Sequence, residues 1–238
     1  MINLDVAKTT RDLIPELLPR DAITAEMVSA LVNALYLKCA WRYPFSKHAT
    51  TSSPFHTPHG TVDVPTMTLS ERIGYAATDG WQVVRLPAIG GVEAAVLLPD
   101  GDLAAAESDL DADLLARLLD APRSQQVNLW LPKVDVRMQA ELTPPLRRLG
   151  VHTVFTDSAD LSGITPANVA VDRVLHESVL KLDEQGLEGA AATALMMRMT
   201  SMPTGRPVEM RVDRPFLLVV RHQETGVVYF LARVVDPA

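Results

Sequence analysis

Residues 184–206, EQGLEGAAATALMMRMTSMPTGR, are the part of this chain that fits no ordinary finished fold. Gly186 and Gly189 loosen the start, Ala190, Ala191, Ala192 and Thr193 are all small, and Thr, Ser, Pro and Gly close the stretch as in exposed loops. Laid out as a strand, the segment places Leu187, Gly189, Ala191, Thr193 and Leu195 on one face and Glu188, Ala190, Ala192, Ala194 and Met196 on the other. Small side chains dominate both faces. Such a segment can slip between two existing strands without the overpacking or buried charge that long side chains would bring. It reads as loop in one state and strand in another; an Ala-rich helix followed by an irregular connection is the plainer alternative.

The rest of the chain reads as strands with a few helices. Apolar positions Ile2, Val6, Leu13, Ile14, Leu17 and Leu18 predict a helix interrupted by Pro15 and ended by Pro19. The run MVSALVNALYL, residues 27–37, is apolar except for Ser29 and Asn33 and predicts a strand buried on both faces. Strand-like pieces at Ser53–His56 and Val62–Pro65 predict edge hairpins, and QVVRLPA and VEAAVLLPD predict another around Gly90 and Gly91. Residues 102–120 predict a helix whose apolar face is Leu110, Leu114, Leu115, Leu118 and Leu119. A strand broken by Pro132 follows at 127–136, then a short helix at Thr143–Leu149 with prolines in its first turn and Gly150 as its stop. Strands at 169–183, Pro215–Arg221 and Val227–Val235 complete the pattern. It has no βαβ rhythm and no linker, so the expectation is one α+β domain over 1–238 with mostly antiparallel sheet.

Charge and motif content narrow the function. The net charge of −7 gives no support to nucleic-acid binding, which would call for a basic face. No stretch approaches the roughly 18 consecutive apolar residues of a membrane span. Met1 to Arg11 lack a basic patch followed by an apolar segment, so no secretory signal is read there, and a chain starting at Met1 would stay in the cytosol. Cys39, the single cysteine, excludes an internal disulfide and reads as an inert buried thiol. Phosphate-cradling, nucleophile-elbow and C-x-x-C signatures are missing. His176-Glu177 begins like a zinc-protease helix, but Leu180 stands where the second His is needed. His48, His56 and His59 read as solvated surface residues, so no metal and no cofactor is expected.

Asp183-Glu184-Gln185-Gly186 followed by the Ala-rich run resembles the hinge and reactive-centre loop of the serpins. MRVDRPFLLVV, residues 210–220, is similar to the family signature, with Asp213-Arg214-Pro215-Phe216 at its centre, and GVVYFLARVVDP, residues 226–237, to its closing strand. LVNALYLKCAW, residues 31–41, resembles the family's central strand, Asn33 and His176 matching the polar shutter pair and Trp41 the breach. The resemblance covers the whole chain and is to the carboxy-terminal part of a serpin, of bacterial type, lacking the N-terminal helices, two strands of the main sheet and a strand behind it. It implies a serpin-like α+β fold with an exposed reactive-centre loop at about 185–206.

The resemblance further implies a suicide-substrate inhibitor of serine proteases, not an enzyme. A target protease of subtilisin, elastase, chymotrypsin or trypsin type attacks the loop as substrate, forms an acyl-enzyme, and is trapped when the hinge, Glu184 and Gly186 to Thr193, inserts into the main sheet. Counting forward from Glu184 places the scissile bond at Thr200-Ser201, with Met199 and then Arg198 as the next candidates, whereas counting back from Pro215 places it near Thr204. Leu187 stands where inhibitory relatives usually have Thr or Ser, and Gly189 where they have Ala, which keeps a non-inhibitory binding or storage serpin, or an inactive fragment, as the alternative. A hydrolase with an unrecognised triad is the third reading. A monomer is expected, and localisation stays open because family members are often extracellular.

Overall fold

A computed structural model describes residues 2–17, 30–34, 37–187 and 206–237. Its elements in chain order are α1 (Ile2–Thr9), β1 (Ala30–Ala34), β2 (Cys39–Ala40), β3 (Thr51–Thr57), β4 (Gly60–Thr78), β5 (Trp81–Pro87), β6 (Val92–Pro99), α2 (Leu103–Ser108), α3 (Ala112–Asp120), β7 (Arg123–Pro132), β8 (Val134–Glu141), α4 (Thr143–Arg148), β9 (Arg173–Leu182), β10 (Gly186–Leu187), β11 (Val208–Arg211), β12 (Phe216–His222) and β13 (Val228–Val234). The chain forms two compact units, residues 1–36 with 137–179 and residues 37–136 with 180–238.

In the first unit α1 ends at Thr9, short of the predicted Leu18, because Arg11 and Asp12 adopt left-handed φ of 51° and 63° and turn the chain before Pro15. Thr10 makes that turn: its hydroxyl donates to the Val6 carbonyl and accepts the Ile14 N–H. Val6, Ile14 and Leu17 are thereby buried together, with Val179 packed against them. β1 runs parallel to β9, Ala30 opposite Arg173 through Ala34 opposite Glu177. Residues 30–34 of the strand expected at 27–37 form strand, 27–29, 35 and 36 lie outside the described residues, and Asn33 is exposed, which corrects burial on both faces. α4 starts at Thr143, whose hydroxyl accepts the Val174 N–H, and stops at Gly150 with φ +90°.

The second unit is built on an eight-stranded sheet in the order β11-β7-β4-β5-β6-β12-β13, with β3 paired to β4. Every neighbour pair is antiparallel except β11 and β7. All eight residues of β6 are buried, because β5 and β12 flank it and both faces are covered. The predicted hairpin at Gly90-Gly91 is present, with φ of +87° and +77°. β4 is far longer than expected, and at its end Asp79 and Gly80, φ +52° and +76°, make a two-residue turn into β5. Asp-Gly with both φ positive is the turn whose twist matches flanking strands.

The helix expected over 102–120 is two helices, each opened by an aspartate: Asp102 accepts the Ala105 N–H and Asp111 the Leu114 N–H. A second N-cap in mid-run restarts the helix, while the predicted apolar face survives. Leu118 and Leu119 are buried against Trp81, Val83, Ala95, Leu97, Leu217 and Val219, with Leu110, Leu114 and Leu115 partly buried beside them. Asp111→Ala removes the cap of α3 and should cost about 1 kcal/mol, measured as a lower urea midpoint at unchanged slope.

Candidate functional site

The site is the point where β9 turns back to become β10, in the second unit. Asp183 makes the turn: its Oδ1 accepts the N–H groups of Gln185 at 2.8 Å and Gly186 at 3.2 Å, and its own N–H donates to the Gly186 carbonyl at 3.0 Å. Asp at the first and Gly at the fourth position are the residues such a turn favours. Leu187 is thereby brought opposite Leu182, and Gly186 and Leu187 lie opposite Ala40 and Cys39 of β2. β10 is thus held between two strands.

Gly186 is required by space. A Cβ there would stand 2.1 Å from the Cys39 carbonyl oxygen and 2.8 Å from the Ala40 Cα. Leu187 is 1% exposed, so its bulk sits inside this slot. Trp41, also buried, locks the turn from the other side: its indole N–H donates to the Asp183 carbonyl at 2.8 Å and its backbone N–H to the Gln185 carbonyl at 2.9 Å. The Phe45 N–H donates to the Glu184 carbonyl at 2.9 Å.

Glu184 is 4% exposed, and one oxygen of its carboxylate has two partners. Lys133 Nζ lies 2.8 Å from Oε1, and the Thr50 hydroxyl donates to the same oxygen at 2.7 Å. Burial pushes this carboxyl up, but the hydrogen bonds from Lys133 and Thr50, its own N–H and the Lys133 charge outweigh burial and hold it below the ordinary range. Beneath the slot, burial pushes the Cys39 thiol up to about 11, against a smaller opposing hydrogen bond from the Leu187 backbone, so the thiol is protonated and inert at neutral pH.

The chain that follows residues 188–205 joins the same unit. β11 runs parallel to β7 from Val208 opposite Val127 to Arg211 opposite Trp130, and the Arg211 guanidinium lies 3.8 Å from the Trp130 ring centre. Arg214 donates twice to the Pro99 carbonyl and pairs with Asp213, and the Phe55 and Phe216 rings meet edge to face at 6.5 Å. β11 was not anticipated as a strand, although Val208, Met210 and Val212 alternate with Glu209 and Arg211.

Other sequence candidates fall as follows. Glu188, Gly189, Ala190, Ala191, Ala192, Thr193, Arg198, Met199, Thr200 and Ser201 lie outside the described residues. In the first unit Asn33 stands opposite His176 in the β1–β9 register. Glu177 is buried and paired with Arg137 at 2.7 Å. His48, His56 and His59 are exposed. Among the described residues no group of three His, Cys, Asp or Glu could hold a metal ion, and no helix is long and apolar enough to cross a membrane.

The family model described as serpin (serine protease inhibitor) matches residues 1–237. The chain belongs to the serpin family. It is 37% identical to the alpha-1-antitrypsin-like protein GS55-MS of Ictidomys tridecemlineatus over 99% of its own length and 57% of that protein's. It is 34% identical to serpin A3-1 of Bos taurus over 100% and 58%. This serpin chain therefore spans little more than half the length of these relatives. They are mammalian and lend no support to the bacterial type expected from the sequence. Among solved structures, human thyroxine-binding globulin complexed with thyroxine superposes with a TM-score of 0.87 at 25% identity, covering 100% of this chain and 63% of that one. Uncleaved ovalbumin gives 0.85 at 26%, covering 99% and 61%. The α+β serpin fold is common to all.

Two outcomes follow for the hinge. Gly186→Ala pushes residues 185–187 off β2, so the Trp41 amide should exchange with solvent about tenfold faster, the equivalent of ~1.4 kcal/mol; unchanged protection would show that the backbones do not need this approach. Because the Glu184 carboxyl is held low in the folded state, its stabilisation is present above about pH 4.3 and is lost as pH falls through the folded value. Protection of the Phe45 amide should fall with it in the wild type. Glu184→Gln should lack that acid limb.

Proposed function

We propose that this serpin inhibits serine-type endopeptidases as a suicide substrate, and that residues 1–238 act as parts of one serpin domain, as a monomer. The observation that carries the reading is β10: the segment leading into the Ala-rich run is already paired on both sides, with Leu187 buried between β2 and β9. A strand started there can be extended by the small residues that follow. Along β9, residues 173–177 are paired with β1, so extension has to displace β1 from that stretch.

The chemistry is that of acyl transfer. The protease serine attacks the carbonyl carbon of Thr200 in the favoured assignment, with Met199 or Arg198 as the next residues before the cut. The amide bond to the following residue breaks, its nitrogen takes the proton passed on by the protease histidine, and an ester joins protease and loop. Insertion of the freed N-terminal side then adds about a dozen backbone hydrogen bonds at ~1 kcal/mol each, enough to drag the attached protease. The alanines add burial and cost no side-chain entropy. Thr or Met before the bond suits subtilisin-, elastase- or chymotrypsin-like pockets, and Arg a trypsin-like one. The seating of Leu187 means that its bulk has already been accommodated.

A second reading is a binding serpin whose loop is cut without trapping, favoured by the likeness to a thyroxine-complexed globulin. Incubation with subtilisin, elastase, chymotrypsin and trypsin separates the two on a denaturing gel. Inhibition gives a protease adduct that survives boiling; cleavage without adduct gives the second. Cleaved inhibitor should also melt roughly 20 °C or more above the intact protein, and equal melting temperatures would exclude insertion.

A further inference from the structure

Four arginines from four strands converge on the end of α3 and the start of β7, all within the second unit. Arg221 of β12 donates to the Leu119 carbonyl at 3.1 Å and Arg85 of β5 to the Pro122 carbonyl at 3.0 Å. Arg123, the first residue of β7, reaches the carbonyls of Asp120, Ala121 and Pro122 at 2.7, 3.2 and 3.3 Å, and Arg72 of β4 reaches that of Ser124 at 3.4 Å. Arg85 and Arg123 share the Pro122 carbonyl, so their guanidiniums lie side by side. Gly74 makes room for this: it stands opposite Arg85 and Ser124 in the register, and a Cβ there would meet Arg85 Nε at 3.1 Å. Arg72, two residues before Gly74, lies on the same face of β4. Against these charges stand Glu93, buried and bonded to Arg221 at 2.8 Å, and Asp120, exposed and 3.7 Å from Arg221.

The dipole and unpaired carbonyls of a helix C-terminus account for one or two basic side chains, not for four. Backbone carbonyls carry no net charge, so within a chain of net charge −7 this cluster keeps more positive than negative charge. Among the described residues, the hydrogen bonds of Arg72, Arg85 and Arg123 use a single terminal nitrogen on each, whereas a guanidinium has donors on all of its nitrogens. Glu93 stands 3.9 Å from Arg85, beyond hydrogen-bond reach. Guanidiniums fixed side by side with donors to spare suit an oxyanion, which accepts from several of them at once. We infer that Arg72, Arg85 and Arg123 form a binding site for the phosphate or sulfate group of a small anionic ligand, with Glu93, itself held by Arg221, steadying Arg85. The site draws on neither the hinge nor the inhibitor reading.

Isothermal titration of the whole chain at low salt with inorganic pyrophosphate and with a monosaccharide sulfate tests the site, sodium chloride at matched ionic strength being the reference. At least one of the two anions should give a saturable heat that chloride does not. Arg72→Gln and Arg123→Gln, both at exposed positions, should each weaken that binding about tenfold, and the difference should shrink as salt rises. Arg148→Gln, which removes an exposed arginine of α4, should leave it within twofold of wild type. Arg72→Gln, with one long bond to lose, should melt with the wild type and so decides the matter where Arg123→Gln lowers the melting temperature. Tighter binding of pyrophosphate points to a phosphate-bearing ligand and tighter binding of the sulfate ester to a sulfated one, and either supports the site. Absence of a saturable heat with both anions overturns the inference, as does binding that Arg72→Gln leaves within twofold of wild type.

Discussion

The hinge depends on one close approach, that of the Gly186 backbone to the Cys39 carbonyl and the Ala40 Cα. Every neighbouring choice is consistent with keeping residues 183–187 tight against β2. Asp183 supplies the acceptor that turns the chain, Gly186 closes the turn with no side chain to obstruct it, and Leu187 then drops opposite Leu182. Trp41 and Phe45 take up the carbonyls of three successive turn residues, which a buried segment cannot leave unpaired. Burying the carboxylate of Glu184 beside them is tolerable only because Lys133 and Thr50 meet it.

The second unit holds its shape for a different reason. β6 is buried throughout and six of the seven residues of β12 are buried, so the middle of the eight-stranded sheet is closed on both faces. Its one deeply buried ion pair, among the described residues, is Arg221 with Glu93 at 2.8 Å, and Arg221 also donates to the Leu119 carbonyl near the end of α3. That fixes α3 to the sheet it covers. Arg214 does the same for the connection entering β12, through the Pro99 carbonyl at the end of β6. The connection from β11 into β12 is thus tied to the closed middle of the sheet.

Much of this was legible in the sequence, and the gaps have physical causes. The hairpins at 82–99 and 216–234, the Leu face over 110–119 and the Gly150 stop follow from local pattern, because turn glycines and apolar periodicity act over a few residues. The split at Asp111 was not read, because the apolar face of Leu110, Leu114, Leu115, Leu118 and Leu119 runs across it. β4 ran past its expected end because Leu69, Ile73 and Tyr75 are buried by a partner strand, β7, about fifty residues away, a contact that no local window contains. Within the site, Trp41, Glu184 and Gly186 were legible through family resemblance. Lys133 and Thr50 were not, since nothing in their surroundings marks them as the partners of a carboxylate fifty or more residues further on.

Leu187 shows how the fixed and the changeable parts of the hinge are divided. Its neighbours on the N-terminal side are held by Trp41, Phe45, Thr50 and Lys133, all contacts that a strand growing beyond Leu187 leaves in place. Growth in that direction adds hydrogen bonds without breaking those already made at the turn, so the main structural cost is loss of the five-residue ladder that joins β1 to β9. At about 1 kcal/mol net per hydrogen bond, that ladder is worth less than the dozen or so bonds a fully inserted segment would make. On the inhibitor reading the balance therefore favours the inserted state. On the same reading the restraint before cleavage is attachment at both ends, Leu187 in its slot and β11 on the sheet edge, and cutting one bond between them removes it.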